Sequence, residues 1–546
     1  MNGAQSLVKC LEKEGVEKLF GYPGVAIVPF FDALKDSSVE EILIRQEQNA
    51  AHAAGGYART TGKVGVCVAT SGPGATNLIT GIATAFADSI PLVCITGQVE
   101  SHLLGNDVFQ EADVSGACES FVKYSYIVRD PADIPRIVKE AFYIAGSGRK
   151  GPVLIDFPMD IQLAEAGKFS YPKEISMRTY KPTVRGNGKQ IKNVCLQLSK
   201  AKKPILCVGG GVHLSGAEKE IRQFAERYQL PVVSTMMGIG VMPSDHPLYF
   251  GMVGNNGQSY GNRAMNEADL IMMVGARVAD RSVSQPGLVM TGKVLIHIDV
   301  DPAEIGKITG ATTPLVGDIR TIFKEIEKHE ITTDTSAFLR KLTEYKTQAK
   351  QDKQIASRNN MRKRAPHTID PAAFIHTLSN AMDKDAIITV DVGQNQMWAC
   401  ANFAVREGLF LTSGGFGSMG YALPAAMGAQ IAEKDRQVVA LCGDAGFQMT
   451  MMELGTIHQY KVPMKVVILQ NHTLGLVYQY QKLRCEKRYT MTEMDDSPHF
   501  ECIAQAYEME YYHISEESEV NDVLREFLLD DHPAILVCDV DPEEMA

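Results

Sequence analysis

Two polar side chains stand where strand-like apolar runs end. Asp444, in Gly443-Asp444-Ala445-Gly446, follows Val438–Cys442, and Asn471, in Gln470-Asn471, follows Val466–Leu469. The interval from 444 to 471, 27 residues, suits one βα unit and would place both side chains in one crevice at the carboxyl edge of a parallel sheet. A carboxylate, an amide oxygen and a backbone carbonyl are hard ligands of the kind Mg²⁺ takes while leaving positions for phosphate oxygens. On spacing alone, an ordinary Gly-Asp turn with an unrelated Asn cap explains the pair as well. Glu47, in Arg45-Gln46-Glu47-Gln48-Asn49 after Ile42-Leu43-Ile44, reads by itself as a helix N-terminal acid. Clusters such as Gly209-Gly210-Gly211 and Gly414-Gly415-Phe416-Gly417 let backbone approach a ligand, although a lone glycine turn is weak evidence of a dinucleotide.

The elements that must position these groups are legible as ten short apolar runs. They are Val64–Ala69, Leu92–Thr96, Val153–Phe157, Ile205–Val208, Leu270–Val274, Val294–Ile298, Ile387–Val390, Val438–Cys442, Val466–Leu469 and Ala534–Cys538. Such runs alternating with helical patterns predict doubly wound α/β units with parallel sheets and ligands at the strands' carboxyl ends. The order strand, Ser71-Gly72-Pro73-Gly74, helix, strand in the first segment repeats around Gly443-Asp444-Ala445-Gly446 in the last. Two related outer units therefore flank a dissimilar middle one. Irregular stretches at 167–190 and 330–367 read as linkers and divide the chain into 1–165, 185–330 and 367–546.

Length and composition agree: 546 residues, 45 % hydrophobic and 22 % charged, describe an ordinary folded protein of several domains. A formal net charge of -11 argues against nucleic acid or an anionic membrane as the main partner. The 11 cysteines lack any C-x-x-C pair and read as core residues of a reduced cytoplasmic protein. Met1–Phe20 reads as an amphipathic helix and not as a signal peptide, and no apolar run is long enough for a membrane span.

The stretch from Gly443 to Gln481 resembles the thiamin-diphosphate (ThDP) and metal motif of acetohydroxyacid (acetolactate) synthase catalytic subunits. The likeness extends through Phe20-Gly21-Tyr22-Pro23-Gly24, Gly56-Tyr57-Ala58-Arg59, Ala69-Thr70-Ser71-Gly72-Pro73-Gly74-Ala75-Thr76-Asn77, Phe109-Gln110-Glu111-Ala112-Asp113 and His297-Ile298-Asp299-Val300-Asp301. It implies three doubly wound domains: pyrimidine-binding (1–165), FAD-binding-like (185–330) and pyrophosphate- and Mg²⁺-binding (367–546). It also implies decarboxylation of pyruvate and transfer of the two-carbon unit to a second 2-ketoacid, an early step of branched-chain amino-acid synthesis.

By the same resemblance Glu47 bonds the pyrimidine nitrogen, and Asp444, Asn471 and Thr473 hold Mg²⁺. Gly24, Pro73, Asn77, Gly393, Gln394, Asn395, Gly417, Met419, Gly443, Ala445 and Gly446 surround ThDP. Phe109 and Gln110 line the reacting centre, Arg281 holds the acceptor carboxylate, and Tyr480 and Met159 shape acceptor choice. A structural FAD would meet Arg178, Gly209, Gly210, Gly211, Thr235, Met236, Arg277, Asp299 and Asp318. The active site is implied to lie at a homodimer interface; the sequence leaves open whether dimers pair into tetramers and whether a separate regulatory subunit binds.

Departures from the family pattern gather near the substrate channel: Val25 for Gly, Met159 for Lys, Val253 for His and Tyr480 for Trp. Ala445, Gln470 and Asn395 also differ without touching the implied metal ligands. Another ThDP-dependent 2-ketoacid decarboxylase or carboligase, a pyruvate oxidase-like flavoenzyme and a silent cofactor-binding scaffold are the competing readings, and retention of Glu47, Asp444 and Asn471 together speaks against the scaffold.

Overall fold

The strand orders of three parallel sheets explain how one chain arranges these residues. The computed structural model describes residues 1–546 except 284, 362, 363 and 495. The first sheet contains β1 (Lys18–Tyr22), β2 (Glu40–Leu43), β3 (Gly65–Ala69), β4 (Leu92–Gln98), β5 (Tyr124–Ile127) and β6 (Pro152–Pro158). The second contains β7 (Pro204–Val208), β8 (Val232–Ser234), β9 (Tyr249–Met252), β10 (Leu270–Val274), β11 (Val294–Asp299) and β12 (Thr313–Val316). The third contains β13 (Ile387–Val390), β14 (Leu409–Thr412), β15 (Val438–Gly443), β16 (Lys465–Gln470), β17 (Glu510–Ile514) and β18 (Ala534–Asp539).

The outer sheets run β2-β1-β3-β4-β6-β5 and β14-β13-β15-β16-β18-β17, which is one order when each is counted from its own first strand. The middle sheet runs β9-β8-β7-β10-β11-β12, the 3-2-1-4-5-6 order of dinucleotide-binding folds. The short internal repeat around Ser71–Gly74 and Gly443–Gly446 thus belongs to a repeat of the whole sheet.

All ten apolar runs are strands, and β3, β4, β7 and β10 are buried along their full length. The other eight strands lie outside the ten runs, although Ile42-Leu43 ends β2 and Leu409–Leu411 gives β14 a short apolar run of its own. Six of the eight are sheet edges, and edges such as β2 and β17 carry charged, exposed positions that interrupt an apolar run. The first helix is shorter than expected. It spans Gly3–Lys13 under an Asn2/Gln5 capping box, and Lys18–Phe20 lie instead in β1.

The stretch after Leu163 is irregular up to the helix Gly188–Lys200, yet Phe169, Tyr171, Met177 and Tyr180 pack on the first sheet's core. The helix Ser336–Met361 fills most of 330–367, of which residues 362 and 363 lie outside the described residues. Every cysteine is free, nine of them buried. Among the described residues no helix is long and apolar enough to cross a membrane.

The outer units share one core. The helix Glu47–Thr61 crosses the helix Ala422–Ala432, and alanines of both are buried in a single apolar cluster. A methyl at Gly428 would stand 1.9 Å from the Ala53 carbonyl oxygen, and one at Gly56 2.0 Å from that of Ala425. Glycine costs helix stability, so this backbone approach is what requires it. Gly428→Ala is expected to destabilise the protein by ~1–3 kcal/mol, read as a lowered Tm. Gly188→Ala, where nothing lies within 4 Å, is the control expected to change little.

Candidate active site

Asp444 begins the helix Asp444–Thr450 directly after β15, and Asn471 and Thr473 follow β16, its neighbour in the sheet. The Ala445 N–H donates to Asp444 Oδ1 at 2.9 Å and the His472 N–H to Oδ2 at 2.8 Å, so the carboxylate ties the two turns together. Burial raises the Asp444 pKa, while these backbone donors oppose the rise. The Thr473 N–H donates to Asn471 Oδ1 at 3.1 Å, and Asn471 Nδ2 donates to Gln394 Oε1 at 2.9 Å.

Among the described residues no backbone N–H takes the Thr473 carbonyl, and Thr473 Oγ1 is buried without a partner. No group of three His, Cys, Asp or Glu that could hold a metal occurs among them either. One carboxylate with neutral oxygens is the donor set that fits Mg²⁺ shared with phosphate and does not fit Zn²⁺. The helices Gln394–Asn402 and Gly475–Arg484 both start here, and neither has a side-chain cap. Their free N–H groups suit an anion.

A second buried carboxylate, Asp391 at the end of β13, gathers the surrounding loops. It accepts the Val392 N–H at 2.7 Å and the Gly420 N–H at 2.9 Å, and it lies under Gly446, where a methyl would be 2.7 Å from Oδ2. Burial pushes its pKa up to about 7 against those donors. The loop 413–420, which carries Gly417 and the half-buried Met419, is folded on Ser413 Oγ, acceptor of the Gly417 and Ser418 N–H groups, each at 3.1 Å. The first unit grips this loop through Thr84 Oγ1 to Ser418 Oγ at 2.6 Å and Asp88 Oδ1 to the Gly415 N–H at 2.7 Å.

Glu47 is the first residue of its helix and is half-buried, accepting from Asn77 Nδ2 at 2.9 Å. A methyl at Gly74 would lie 3.3 Å from Glu47 Oε1, and one at Gly24 2.5 Å from the Thr70 side chain. Pro73 and Asn77 are exposed. Phe109 is 87 % exposed and Gln110 adopts φ 59°, on a loop held by Gln98 Nε2 donating to the Ala112 carbonyl at 2.9 Å. Among the described residues no hydrogen bond joins Glu47 to Asp444, Asn471 or Thr473. Within one chain the candidate pyrimidine and metal groups are separately built. Tyr480 is exposed on the helix Gly475–Arg484, and Met159 is half-buried immediately after β6.

A cavity of about 790 Å³ lies at the carboxyl ends of the middle sheet and reaches both outer units. Gly210, Gly211, Thr235 and Met236 line it, with Arg277, Arg281, Asp299 and Asp318. Gly209 precedes this wall; a methyl there would stand 2.3 Å from the Gly275 carbonyl oxygen. Arg178 is exposed on the irregular segment packed on the first unit, a segment whose Pro182, Thr183 and Val184 line the cavity.

Arg149 also lines the cavity, held by Glu304 at 3.1 Å and Asp301 at 3.4 Å. It precedes β6, at the amino end of its sheet, so a search of strand carboxyl ends passes over it. Asp88 Oδ2, buried and without a partner, belongs to another lining residue, and burial pushes the Asp299 carboxyl up to about 6. Cations, acidic acceptors and the apolar Met236, Met237 and Val253 suit an elongated ligand with anionic, hydroxylated and flat apolar parts.

The Arg281 side chain is 75 % exposed and its Nε stands 4.0 Å from Asp280 Oδ2, too loose for a structural ion pair. Asp269 is engaged elsewhere, accepting the Lys202 and Lys203 N–H groups.

Family models of thiamine pyrophosphate enzymes match the chain in three places: an N-terminal TPP binding domain over residues 1–117, a central domain over 191–326 and a C-terminal TPP binding domain over 391–539. The chain is 41 % identical to the acetolactate synthase isozyme 2 large subunit of Escherichia coli (strain K12), over 100 % of this chain and 96 % of that protein. It is 39 % identical to the acetolactate synthase large subunit of Lactococcus lactis subsp. lactis (strain IL1403), over 98 % and 92 %. It is 43 % identical to the acetolactate synthase of Arthrospira platensis, over 93 % and 89 %. The chain belongs to the acetolactate synthase family.

In this family member, Glu47 and Asn77 lie in the N-terminal TPP binding domain, and Asp391, Asp444, Asn471 and Thr473 in the C-terminal one. The cavity opens on the central domain between them. Asp391 and Arg149 are the site-lining or site-supporting groups that motif reading missed. Asp391 had a signal, since it ends the apolar run Ile387–Val390 just as Asp444 follows Val438–Cys442.

Proposed function

We propose that the protein is an acetolactate synthase that converts two pyruvates into 2-acetolactate and carbon dioxide, or uses 2-ketobutyrate as acceptor to give 2-aceto-2-hydroxybutyrate. The observation that carries this is the buried oxygen set of Asp444, Asn471 and Thr473 at uncapped helix starts in a TPP binding domain, in a chain that also keeps Glu47. Bound ThDP supplies the electron sink that lets a 2-ketoacid lose carbon dioxide and leave a two-carbon nucleophile.

The chain's own residues position and protonate. Glu47, oriented by Asn77, holds the proton at the pyrimidine nitrogen. Asp444 and Asn471 side chains and the Thr473 carbonyl hold Mg²⁺. Gly393, Gln394, Asn395, Gly417, Met419, Gly443, Ala445 and Gly446 form the cradle, with Gly24 and Pro73 on the pyrimidine side. Phe109 and Gln110 line the reacting centre, Arg281 receives the acceptor carboxylate, and Tyr480 and Met159 shape acceptor choice.

FAD fits the large cavity, on Gly209–Gly211, Thr235, Met236, Arg277, Asp299 and Asp318, with Arg178 from the adjoining segment and Arg149 beside them. It is structural, because the overall reaction balances without net redox. The units 1–165, 185–330 and 367–546 are the domains that bind pyrimidine, FAD, and diphosphate with Mg²⁺. A homodimer completes the site by setting Glu47 of one copy against Asp444 of the other. Exposed apolar side chains on both surfaces support this: Tyr22, Val25 and Val28 on the first unit, Leu476, Val477 and Leu483 on the third. A separate smaller subunit is supported by relatives named as large subunits, and the free, mostly buried thiols support a cytoplasmic location.

A pyruvate and 2-ketobutyrate competition assay, with and without FAD, tests reaction, acceptor preference and flavin need together. Acetaldehyde as sole product, or flavin reduction coupled to pyruvate turnover, would replace this reading by a decarboxylase or an oxidase. Arg281→Ala is expected to raise the acceptor KM by roughly 10- to 100-fold, the cost of a charge-assisted hydrogen bond, while carbon dioxide release from the donor persists. Steady-state rates with saturating donor and varied acceptor check this.

A further inference from the structure

We propose that Glu453, on the third unit, is a positioning residue for Glu47: its carboxylate anchors the residues on either side of Glu47 from across the shared core and sets where the Glu47 carboxylate stands. The inference rests on the reading that Glu47 activates the pyrimidine.

The helix Glu47–Thr61 has no cap of its own, since Gln46 at the cap position makes no side-chain bond. Glu453 is 0 % exposed and ties that start down from outside the helix. Its Oε1 accepts the Arg45 N–H at 3.0 Å and Asn49 Nδ2 at 2.9 Å, and its Oε2 accepts the Arg45 N–H at 3.2 Å and Thr456 Oγ1 at 2.8 Å. Arg45 and Asn49 bracket Glu47 at two residues on either side, so both anchors lie within one turn of it.

Neighbouring bonds stitch the same junction. The Arg45 guanidinium donates to Gln459 Oε1 at 2.7 Å and the Gly455 carbonyl at 3.2 Å, and the Leu43 N–H donates to Tyr460 Oη at 2.9 Å. Every group that meets Glu453 is a donor, which an acceptor-only carboxylate satisfies and an amide cannot. Burial raises the Glu453 pKa, against the pull of its hydrogen bonds. Simple adhesion between two domains would be served more cheaply by an apolar side chain; a directional acceptor is needed only if the helix start must be held in one place.

The test is the rate of deuterium exchange at C2 of bound ThDP, quenched in acid and read by NMR, for wild type, E47Q, E453Q and the double variant N49D/E453Q. In the double variant the amide introduced at position 453 can donate to the new carboxylate at position 49 while its oxygen keeps the Arg45 N–H. E453Q is expected to slow exchange by ~10-fold or more, the effect of one lost charge-assisted hydrogen bond, with ThDP affinity close to wild type and Tm lowered by the amide set against buried donors. N49D/E453Q is expected to regain most of the rate.

Unchanged exchange in E453Q, even with reduced turnover, or no recovery in the double variant, would overturn the proposal. If E47Q exchanges as fast as wild type, the role of Glu47 falls and this inference falls with it; if only E47Q is slow, the role of Glu47 stands and this inference alone fails. Should E453Q not fold, N49A takes its place: exchange slowed several-fold supports the positioning role, and exchange at the wild-type rate overturns it.

Discussion

Glu47→Gln is expected to lower acetolactate formation by at least ~100-fold, the usual scale for a lost proton-handling group, while ThDP and Mg²⁺ still bind. The substitution keeps shape and keeps an oxygen for Asn77 Nδ2, which now stands 2.9 Å from Glu47 Oε2. What it removes is the ability to pass a proton to and from the pyrimidine nitrogen, since an amide can donate a hydrogen bond there but does not titrate. The effect should fall on turnover and not on cofactor affinity, because the inferred metal and diphosphate groups share no hydrogen bond with Glu47 among the described residues. Initial rates at saturating ThDP, with a parallel fluorescence titration of ThDP, separate the two. Activity within tenfold of wild type would remove Glu47 from the catalytic role.

Asp444→Asn should act on the opposite side of the balance. The wild-type carboxylate is 1 % exposed and receives two backbone N–H groups, from Ala445 and His472, with its charge left for the cation. The amide would supply one oxygen and set an NH₂ group against one of those donors, while removing the only carboxylate of the inferred metal set. A loss of at least ~100-fold in ThDP affinity at fixed Mg²⁺ is expected, the size that follows removal of one partner from a buried charge pair. ThDP titrations over a range of Mg²⁺ concentrations check it: wild-type affinity should rise with Mg²⁺ and the variant's should respond weakly. An unchanged Mg²⁺ dependence would place the cation elsewhere.

The sequence makes the interior of each sheet legible because parallel strands buried on both faces are apolar throughout, as in Leu270–Val274 and Val438–Cys442. The edges β2 and β17 are harder to read, since each carries an exposed charge and a single buried residue, and so is the interior strand β8, which is only three residues long. Asp444 and Asn471 could be placed in one crevice from spacing, because consecutive parallel strands bring their carboxyl-end turns together. Arg149 and Glu453 could not. Arg149 reaches its cavity from the amino end of another sheet, and Glu453 acts 408 positions away in sequence from Arg45, whose N–H it accepts. Such pairings depend on how units pack, here on the close crossing at Gly56 and Gly428, for which local sequence patterns carry no signal.

Carbon accounting on pyruvate alone tests the central claim most directly. With ThDP and Mg²⁺ supplied, the account predicts that the purified protein consumes two pyruvates for each carbon dioxide and each 2-acetolactate formed, and that E47Q does so at a background rate. One carbon dioxide per pyruvate with acetaldehyde as product, or pyruvate consumption that requires an electron acceptor, would contradict it.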